Sequence, residues 1–552
     1  MKKRFSRSSE GGPNRLPSRP ITESAISVEP LYTPEYIEQQ MFNYSKDLGN
    51  PGEFPYTRGI CSTINMEKPF NLRQYVGFGT IDESNRLFQH LVEQGQNVIS
   101  VAYDLPTQLG YDSDDPRVEG EVGKIGIPVC SLEDWERLFD GIEISQVKIS
   151  SVCNAQSVVA LAWHFITADR KGIGPDRLQG VVQNDILKEF MARGNYIFPL
   201  EHSMRLTLDV IEYAVRYLPQ YTPIYLCPYH IREAGGDAVQ EVAFAIASGI
   251  AYLEASLKRG LDVDDVAPRI PCLMTGRHRD FFEEIAKFRA ARRIWAHLLR
   301  ERFRSQNPQS QKLIIMQYQG GIGFTAEQKE INIARGAIAA LAAGMGGVQD
   351  IGLCTMDEAL GIPSEKSLTI ALRTSQIVAF ETGVTHTIDP LGGSYYIEWL
   401  THEIETKVKS YLDRIDSLGG MVEAVKQGYP QREISQTAYR HQKEEEEGLR
   451  VVVGRNRFKT EEKAEDITFY RENPEILKNQ IERLKRLRQT RSAFSVEKAL
   501  NDIRRVAQKG EQGGKNNLVP PVIEAVKAFA TVGEICRVLR EEWGECTGNT
   551  NF

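Results

Sequence analysis

Two neighbouring stretches, VVQNDILKEFMARGNYIFP (181–199) and PIYLCPYHIREAGG (223–236), decide the fold. Each opens on a short run of Val, Ile, Tyr and Leu of strand length. Each then breaks into polar sequence that leads to a segment of helical period. The alternation recurs on both sides, in NVISVAYD (97–104), QVKISSVC (146–153), LQGVVQ (178–183), RIPCLMT (269–275), KLIIMQYQ (312–319), GVQDIGLC (347–354) and VTHTIDP (384–390). With PIYLCPY (223–229) these make eight strand-like runs, nearly all followed by a helix, which points to an α/β protein built as a (β/α)8 TIM barrel. An open doubly wound sheet is the competing arrangement, weakened because no GxGxxG follows the first run. The inward candidates on these runs are small or polar: Ser100, Ser150, Ser151, Asn154, Gln183, Tyr229, Gln317 and Gln319. Ordinary barrels fill their middle with bulky branched residues. The runs therefore fit either a lumen left open for a ligand that threads it or a wet, internally hydrogen-bonded core.

Outward from the barrel, residues 1–30 (MKKRFSRSSEGGPNRLPSRP and the ten that follow) read as a disordered basic tail. A transit peptide is the alternative, and no secretory signal is present. Residues 31–430 form the barrel with an N-terminal extension: a helix and turn between Tyr32 and Phe54, then PFNLRQYVGFGT, then an amphipathic helix from about Asp82 to Gln94. Residues 431–552 change character, with an acidic run at Glu444 to Glu447, VVVGRNRF, a charged helix over 474–490, the linker KGEQGGKNN (509–517) and a final helical pair. They read as a helical appendage and a docking surface for a partner subunit.

At 41% hydrophobic and 26% charged residues the composition is that of a globular protein. A net charge of −7 without a dense basic face argues against nucleic acid as a partner. No apolar run approaches the ~20 residues that cross a bilayer, so no membrane is expected. None of the eight cysteines forms a CxxC pair and most sit in apolar runs, which fits reduced thiols in a cytoplasmic protein and neither a disulfide frame nor zinc.

Several residues carry chemistry. A histidine at a strand end, His230, can hydrogen-bond a carbonyl oxygen and steady charge that builds there. Tyr229 and Glu233 can position a ligand or cap the next helix. Arg193 is suited to bidentate carboxylate binding, and Tyr75 in RQYVGFG can add a neutral donor. Taken singly, each has an equally good structural reading. The long loop over 102–129 is placed where barrel enzymes carry function. Its Asp112, Asp114 and Asp115 lack EF-hand spacing, and no metal is assigned.

The motifs RQYVGFGT, SVAYDLPTQLGYDSDDPRVEGEVG, VVQNDILKEFMARGNYIFP, YHIREAGG, AKFRAARRIWA, MDEALGIP and IDPLGGSYYIE together resemble the substrate-binding chain of the methylmalonyl-CoA mutase family, over about Tyr32 to Tyr470. The tail VKAFATVGEICRVLREEWG is similar to large subunits of two-chain members, such as the 2-hydroxyisobutyryl-CoA mutase type. The resemblance implies a carbon-skeleton isomerase that uses adenosylcobalamin. The family's cobalt-ligating DxHxxG motif does not occur here, so it also implies a separate small cobalamin-binding subunit and a heterotetramer.

By matched position, His230 is the histidine at the thioester carbonyl, Gln183 a polar substrate contact, and Tyr75 and Arg193 the pair on the substrate's free carboxylate. Tyr103, Leu105, Glu233, Gly321, Glu358 and Ala359 match positions facing the corrin or adenosyl group. Ala102 stands where the 2-hydroxyisobutyryl type has aspartate; that type also has isoleucine for Tyr75, and the isobutyryl type has phenylalanine and glutamine for Tyr75 and Arg193. Thr63, Lys68, Ser100, Ser150, Arg269 and Tyr318 fall along the acyl-CoA path. Departures cluster there, at Cys61 (tyrosine in the family), Lys68 and Ile314 (arginine), Pro271 (serine), Met316 (histidine), Tyr318 (glutamine) and Cys354 (asparagine). Each lost charge-assisted contact weakens CoA binding by roughly 1.5–3 kcal/mol.

Three readings follow from the residues and the resemblance. The first is a methylmalonyl-CoA to succinyl-CoA type mutase, in which the carbonyl–thioester group of a carboxylate-bearing branched acyl-CoA migrates. The second is the same radical chemistry on a substituted succinyl, monocarboxylic or carrier-protein-bound acyl group. The third is a non-catalytic binding protein derived from the mutases.

Overall fold

Eight parallel strands ring a central lumen: β1 (Asn71–Val76), β2 (Val98–Val101), β3 (Lys148–Ser151), β4 (Gly180–Val182), β5 (Tyr221–Thr222), β6 (Cys272–Gly276), β7 (Ile315–Gln319) and β8 (Asp350–Gly352). In the computed structural model, which describes residues 21–361, 363–460, 475–510 and 515–546, they hydrogen-bond in the order β5-β4-β3-β2-β1-β8-β7-β6. The ring closes where the chain beyond β5 meets β6: Leu226 N–H donates to Pro271 O at 2.9 Å, and Leu273 N–H donates to Leu226 O at 2.7 Å. The main helices between strands are α1 (Ile81–Glu93), α2 (Leu132–Leu138), α3 (Ser157–Arg170), α4 (Leu200–Tyr217), α5 (Ala238–Lys258), α6 (Phe281–Glu301), α7 (Asn332–Met345) and α8 (Glu365–Phe380). This is the (β/α)8 barrel the alternation predicts.

The count of eight strands holds, but two of the expected runs shift: the fifth strand is Tyr221–Thr222, just ahead of the expected PIYLCPY (223–229), which keeps only a bridge at Leu226. The first strand is NLRQYV, whose Arg73 and Gln74 disguise it as a loop, and VTHTIDP forms turns. Inward parity on β7 is also the reverse of the expectation. Met316 and Tyr318 face the lumen, so Gln317 and Gln319, two residues apart on the same strand, face the helices. On β3, Ser151 likewise faces outward, accepting from the Tyr103 hydroxyl at 3.0 Å.

The 21-residue helix α5 corrects the reading of apolar runs. By length and composition it could cross a membrane, yet most of its residues are buried among its neighbours, where it packs against α6 and α9 (Tyr395–Ser417). It is a core helix, apolar nearly all round because it is covered nearly all round.

The flanking regions depart from the sequence reading too. The expected disordered tail extends to residue 30; residues 1–20 lie outside the described residues, but 21–30 are held against the barrel. Glu23 is buried, with Arg232 and Arg277 on Oε2 (both 3.0 Å) and Arg450 on Oε1 (2.7 Å). Burial opposes its charge, but the Arg277, Arg232 and Arg450 guanidiniums outweigh it and hold the carboxyl far below the ordinary range.

The C-terminal region is no appendage. Its first helix, α10 (Tyr429–Glu446), begins before the expected boundary. Beyond it, α11 (Glu475–Thr490) is followed by α12 (Ala493–Gln508), α13 (Val519–Lys527) and α14 (Val532–Trp543), and these last three share one hydrophobic core with the barrel helices, α13 packing directly on α3. The predicted linker 509–517 lies partly outside the described residues. Arg488 of α11 pairs with Asp112 (2.8 Å) and Asp114, and Thr531 donates to Asp112 at 2.6 Å, so two of the three aspartates weighed as a calcium loop anchor helices.

Within this core, His164 of α3 packs its ring against Tyr221 and Trp135, and neither ring nitrogen has a hydrogen-bond partner. Burial lowers its pKa from 6.5 to about 4. A histidine kept neutral in the fold is protonated first in the unfolded chain, so its stabilising share is complete above about pH 6.5 and drains away as pH falls towards 4. Between about pH 7 and pH 5 this amounts to about 2 kcal/mol. Urea unfolding of His164→Leu should show a correspondingly smaller loss over that interval; equal losses in both proteins would refute the assignment.

Candidate active site

The C-terminal ends of the strands open into a cavity of about 590 Å3. Tyr75 of β1, Ser100 of β2, Ala102, Gln183, Arg193, His230, Tyr318 of β7 and Glu358 all line it. Its lower part is crossed by Arg73, which donates to Ser100 Oγ at 2.9 Å and to Asp350 at 2.7 Å. Below His230 the barrel wall is apolar, formed by Val181, Tyr225, Cys227, Leu273 and Met316. Room for the Tyr318 ring comes from Gly352 on the adjacent strand, where a Cβ would lie 2.2 Å from the ring. The loop after β2 returns to pair Tyr103 with Ile127 and brings Lys124, Ile125 and Gly126 to the mouth. Gly126 has φ +113° and no space for a side chain against the Tyr103 carbonyl.

The deepest charges come from NDILKEFMAR. A helical turn, Ile186–Lys188, runs into a single wide π turn, Glu189–Arg193, which brings both the adjacent pair Lys188–Glu189 and Arg193 into one ionic cluster. Glu189 Oε1 takes Lys188 Nζ at 2.7 Å, Arg193 Nη1 at 3.1 Å and the Asn154 amide, while Oε2 accepts from Asn195 N–H at 2.9 Å. Burial opposes its charge, but Lys188 and Arg193 hold the carboxyl below its usual range. Lys188 Nζ also donates to Gln183 Oε1 at 2.7 Å and lies 3.4 Å from His230 Nδ1. The Gln183 amide is then fixed by donating to the Tyr225 hydroxyl at 2.9 Å.

These neighbours set the protonation states. Burial first, then Lys188 and Arg193, push His230 well below 6.5, so its imidazole is neutral at physiological pH. Burial raises the Tyr75 phenol, which stays a neutral donor, and its 37% exposure opens onto the cavity. Arg193 stays cationic, since Glu189 outweighs its burial. The cavity thus offers a neutral imidazole and an amide, with a guanidinium–phenol pair lining the same space. Such a set can hold a carbonyl oxygen and a carboxylate of one ligand.

At the rim, burial, then Glu233, raises Glu358 to about 7. The Glu233 Oε2 accepts from Ile322 N–H at 3.2 Å, while Oε1 is buried without a hydrogen-bond partner. Gly321 sits between the two carboxyls: a Cβ there would lie 3.3 Å from Glu233 and 3.5 Å from Glu358. Leu105, Ile125 and Ile322 expose apolar surface, and Ala359 is exposed beside Glu358.

Other expected positions fall elsewhere. Tyr103 is fully buried beside Trp135 and Trp163, so its side chain belongs to the outer core, because it sits one residue out of phase with Ala102. Ser150 is buried on β3 below the cavity. Thr63 and Lys68 are exposed before β1, and Arg269 precedes β6 with one guanidinium arm on the carbonyls of Ala214 and Leu218; these three mark the opposite, N-terminal end of the barrel. The sequence reading assigns no role to Arg73, Lys188 or Glu189, and names Asn154 only as an inward polar candidate. The adjacent Lys–Glu pair inside an otherwise apolar helix was the signal that could have found Lys188 and Glu189.

Fold and cavity define an α/β-barrel enzyme whose reaction is enclosed in an open lumen. A family profile described as methylmalonyl-CoA mutase matches residues 21–545, and the chain belongs to that family of adenosylcobalamin-dependent isomerases. It is 39% identical over 499 residues to the 2-hydroxyisobutanoyl-CoA mutase large subunit of Aquincola tertiaricarbonis, covering 90% of this chain and 88% of that one. It is 38% identical over 526 residues to the methylmalonyl-CoA mutase of Rhizobium meliloti (95% and 72%) and 37% over 528 residues to the mitochondrial methylmalonyl-CoA mutase of Homo sapiens (96% and 69%).

Removing the cluster's anion tests the electrostatic account. Glu189→Ala leaves two buried cations uncompensated and should cost about 3–5 kcal/mol in denaturant unfolding. A loss below about 1 kcal/mol would show that solvent reaches the cluster.

Proposed function

We propose that the chain is the substrate-binding large subunit of a mutase that converts a carboxylate-bearing branched acyl-CoA, of the methylmalonyl-CoA to succinyl-CoA type. The observation that carries this reading is the convergence of Arg193 and Tyr75 with neutral His230 and Gln183 on one cavity. Arg193 and Tyr75 hold the free carboxylate, one as cation and one as neutral donor. His230 holds the thioester carbonyl oxygen by a hydrogen bond that strengthens as charge shifts to that oxygen. Gln183, fixed from both ends of its amide, positions the acyl group between them.

The rim fits a corrin. Exposed Leu105, Ile125 and Ile322 offer apolar surface to a flat macrocycle, Gly321 lets it approach, and the unpartnered Glu233 oxygen can accept from an amide or hydroxyl. When bound, adenosylcobalamin supplies the carbon-centred radical that takes a hydrogen from the substrate. The barrel wall excludes water and other quenchers from that chemistry. One observation supports delivery of the cofactor by a small partner subunit, in an α2β2 assembly: the Aquincola relative, matched over 88% of its length, is named a large subunit. The eight free cysteines support a reducing compartment, the cytoplasm.

A second reading, the same migration on a bulkier acyl group, is favoured by the apolar wall of Leu273 and Met316 and by the small Ala102.

Reconstitution with a small DxHxxG subunit and adenosylcobalamin should convert methylmalonyl-CoA to succinyl-CoA. Arg193→Gln should lower kcat/KM for dicarboxylic substrates on the order of 10²-fold or more, in line with loss of a charge-assisted contact, while sparing a monocarboxylic one. Equal turnover of both substrate classes by the wild type would overturn the carboxylate assignment, and selective turnover of larger branches would favour the second reading.

A further inference from the structure

We propose that Lys188 decides which nitrogen of His230 carries the proton: its ammonium donates to Nδ1, which leaves the N–H on Nε2, facing the cavity. The inference rests on the reading of His230 as the thioester-carbonyl residue, and it makes Lys188 a positioning residue for that step.

The argument is one of donor and acceptor inventory. An ammonium has three N–H donors and no acceptor. Lys188 is 1% exposed, and its Nζ has three acceptors within reach: Gln183 Oε1 at 2.7 Å, Glu189 Oε1 at 2.7 Å and His230 Nδ1 at 3.4 Å. A proton on Nδ1 would aim an N–H at this buried ammonium and leave one of its own donors without a partner, at the desolvation cost of a charged group. The neutral state of the ring is what makes the choice matter. A neutral imidazole donates from one nitrogen only, and a thioester carbonyl needs a donor. Nε2, at the opposite edge of the ring, has no protein partner among the described residues. The competing acceptor for an Nδ1 proton is the Cys227 backbone carbonyl, with Cys227 Sγ at 3.7 Å as a weak second.

Glu189 extends the arrangement. The carboxylate oxygen that holds Lys188 is the one that holds Arg193, so the proton on His230 and the orientation of the carboxylate-binding arginine depend on one anchor.

The test reads the tautomer directly, in the full-length chain without cofactor, partner or substrate, so it stands apart from the substrate assignment. In 15N spectra of selectively histidine-labelled protein, with the His230 signals identified by their loss in His230→Asn, the wild type should show a protonated Nε2 and an unprotonated Nδ1. Lys188→Met should shift the population towards Nδ1–H and lower kcat on whichever acyl-CoA the reconstituted enzyme turns over, on the order of 10²-fold. If circular dichroism shows that Lys188→Met does not fold, Lys188→Leu takes its place with the same expectation, because it too offers Nδ1 no donor. A wild-type spectrum with the proton on Nδ1, or an unchanged Nε2–H spectrum in the folded variant, would overturn the proposal. Absence of turnover in the wild type would count against the functional reading and leave the tautomer result standing.

Discussion

The carboxylate of Glu189 is the constraint on which the site depends. Three protein groups share one of its oxygens, and two of them are cations that would otherwise stand unpaired inside a barrel. A buried ion of either sign is costly unless it is paired and fully hydrogen-bonded. Here the cluster keeps a net positive charge beside His230, and that charge, with burial, empties the imidazole of its second proton. Glu189 and Arg193 stand four residues apart and meet on one face, while Lys188 reaches the same carboxylate oxygen from the adjacent position.

An open lumen has to be stabilised from outside. The barrel's volume of bulky side chains lies between strands and helices, where Trp135, Trp163 and Trp295 are completely buried, and not on the axis. Inside, polar groups replace the usual layers and pair with one another: Arg73 with Asp350, Lys188 with Glu189, Gln183 with Tyr225. The C-terminal helices thicken the outer wall, so that the cavity is enclosed by a continuous core even though its own centre is left free for a ligand.

Much of this was legible in the sequence. Strand–helix alternation announces the barrel, and the segments that follow β4 and β5 carry Gln183, Arg193 and His230 to the mouth, His230 on the helical turn Tyr229–Glu233. The misreadings have physical causes. NLRQYV hides a strand because Arg73 and Gln74 are polar for different reasons, one facing the lumen and the other bonding to the Leu368 carbonyl. Period-2 alternation separates Ile314, Met316 and Tyr318 from Ile315, Gln317 and Gln319 without saying which phase is inside, and here the phase of Met316 and Tyr318 faces the lumen. Tyr103, matched by resemblance to a cofactor-facing position, shares its phase with buried Ile99 and Val101, opposite Ser100 and Ala102. The charged C-terminal helices look detachable because their apolar stripes are narrow, yet α12 packs its stripe on α13 and α14, and α13 lies on α3.

The Glu23 cluster sets an order of assembly during synthesis. Arg232, two residues beyond His230, finds its N-terminal carboxylate across 209 residues of chain, and Arg450 reaches the same carboxylate across 427. At roughly 5–20 residues per second, about 10–40 s pass between the emergence of Glu23 and that of Arg232. Glu23 gains its third guanidinium only after the entire barrel sequence has left the ribosome. The Glu23 pocket beside the His230 turn is therefore complete only after all eight strands have been made.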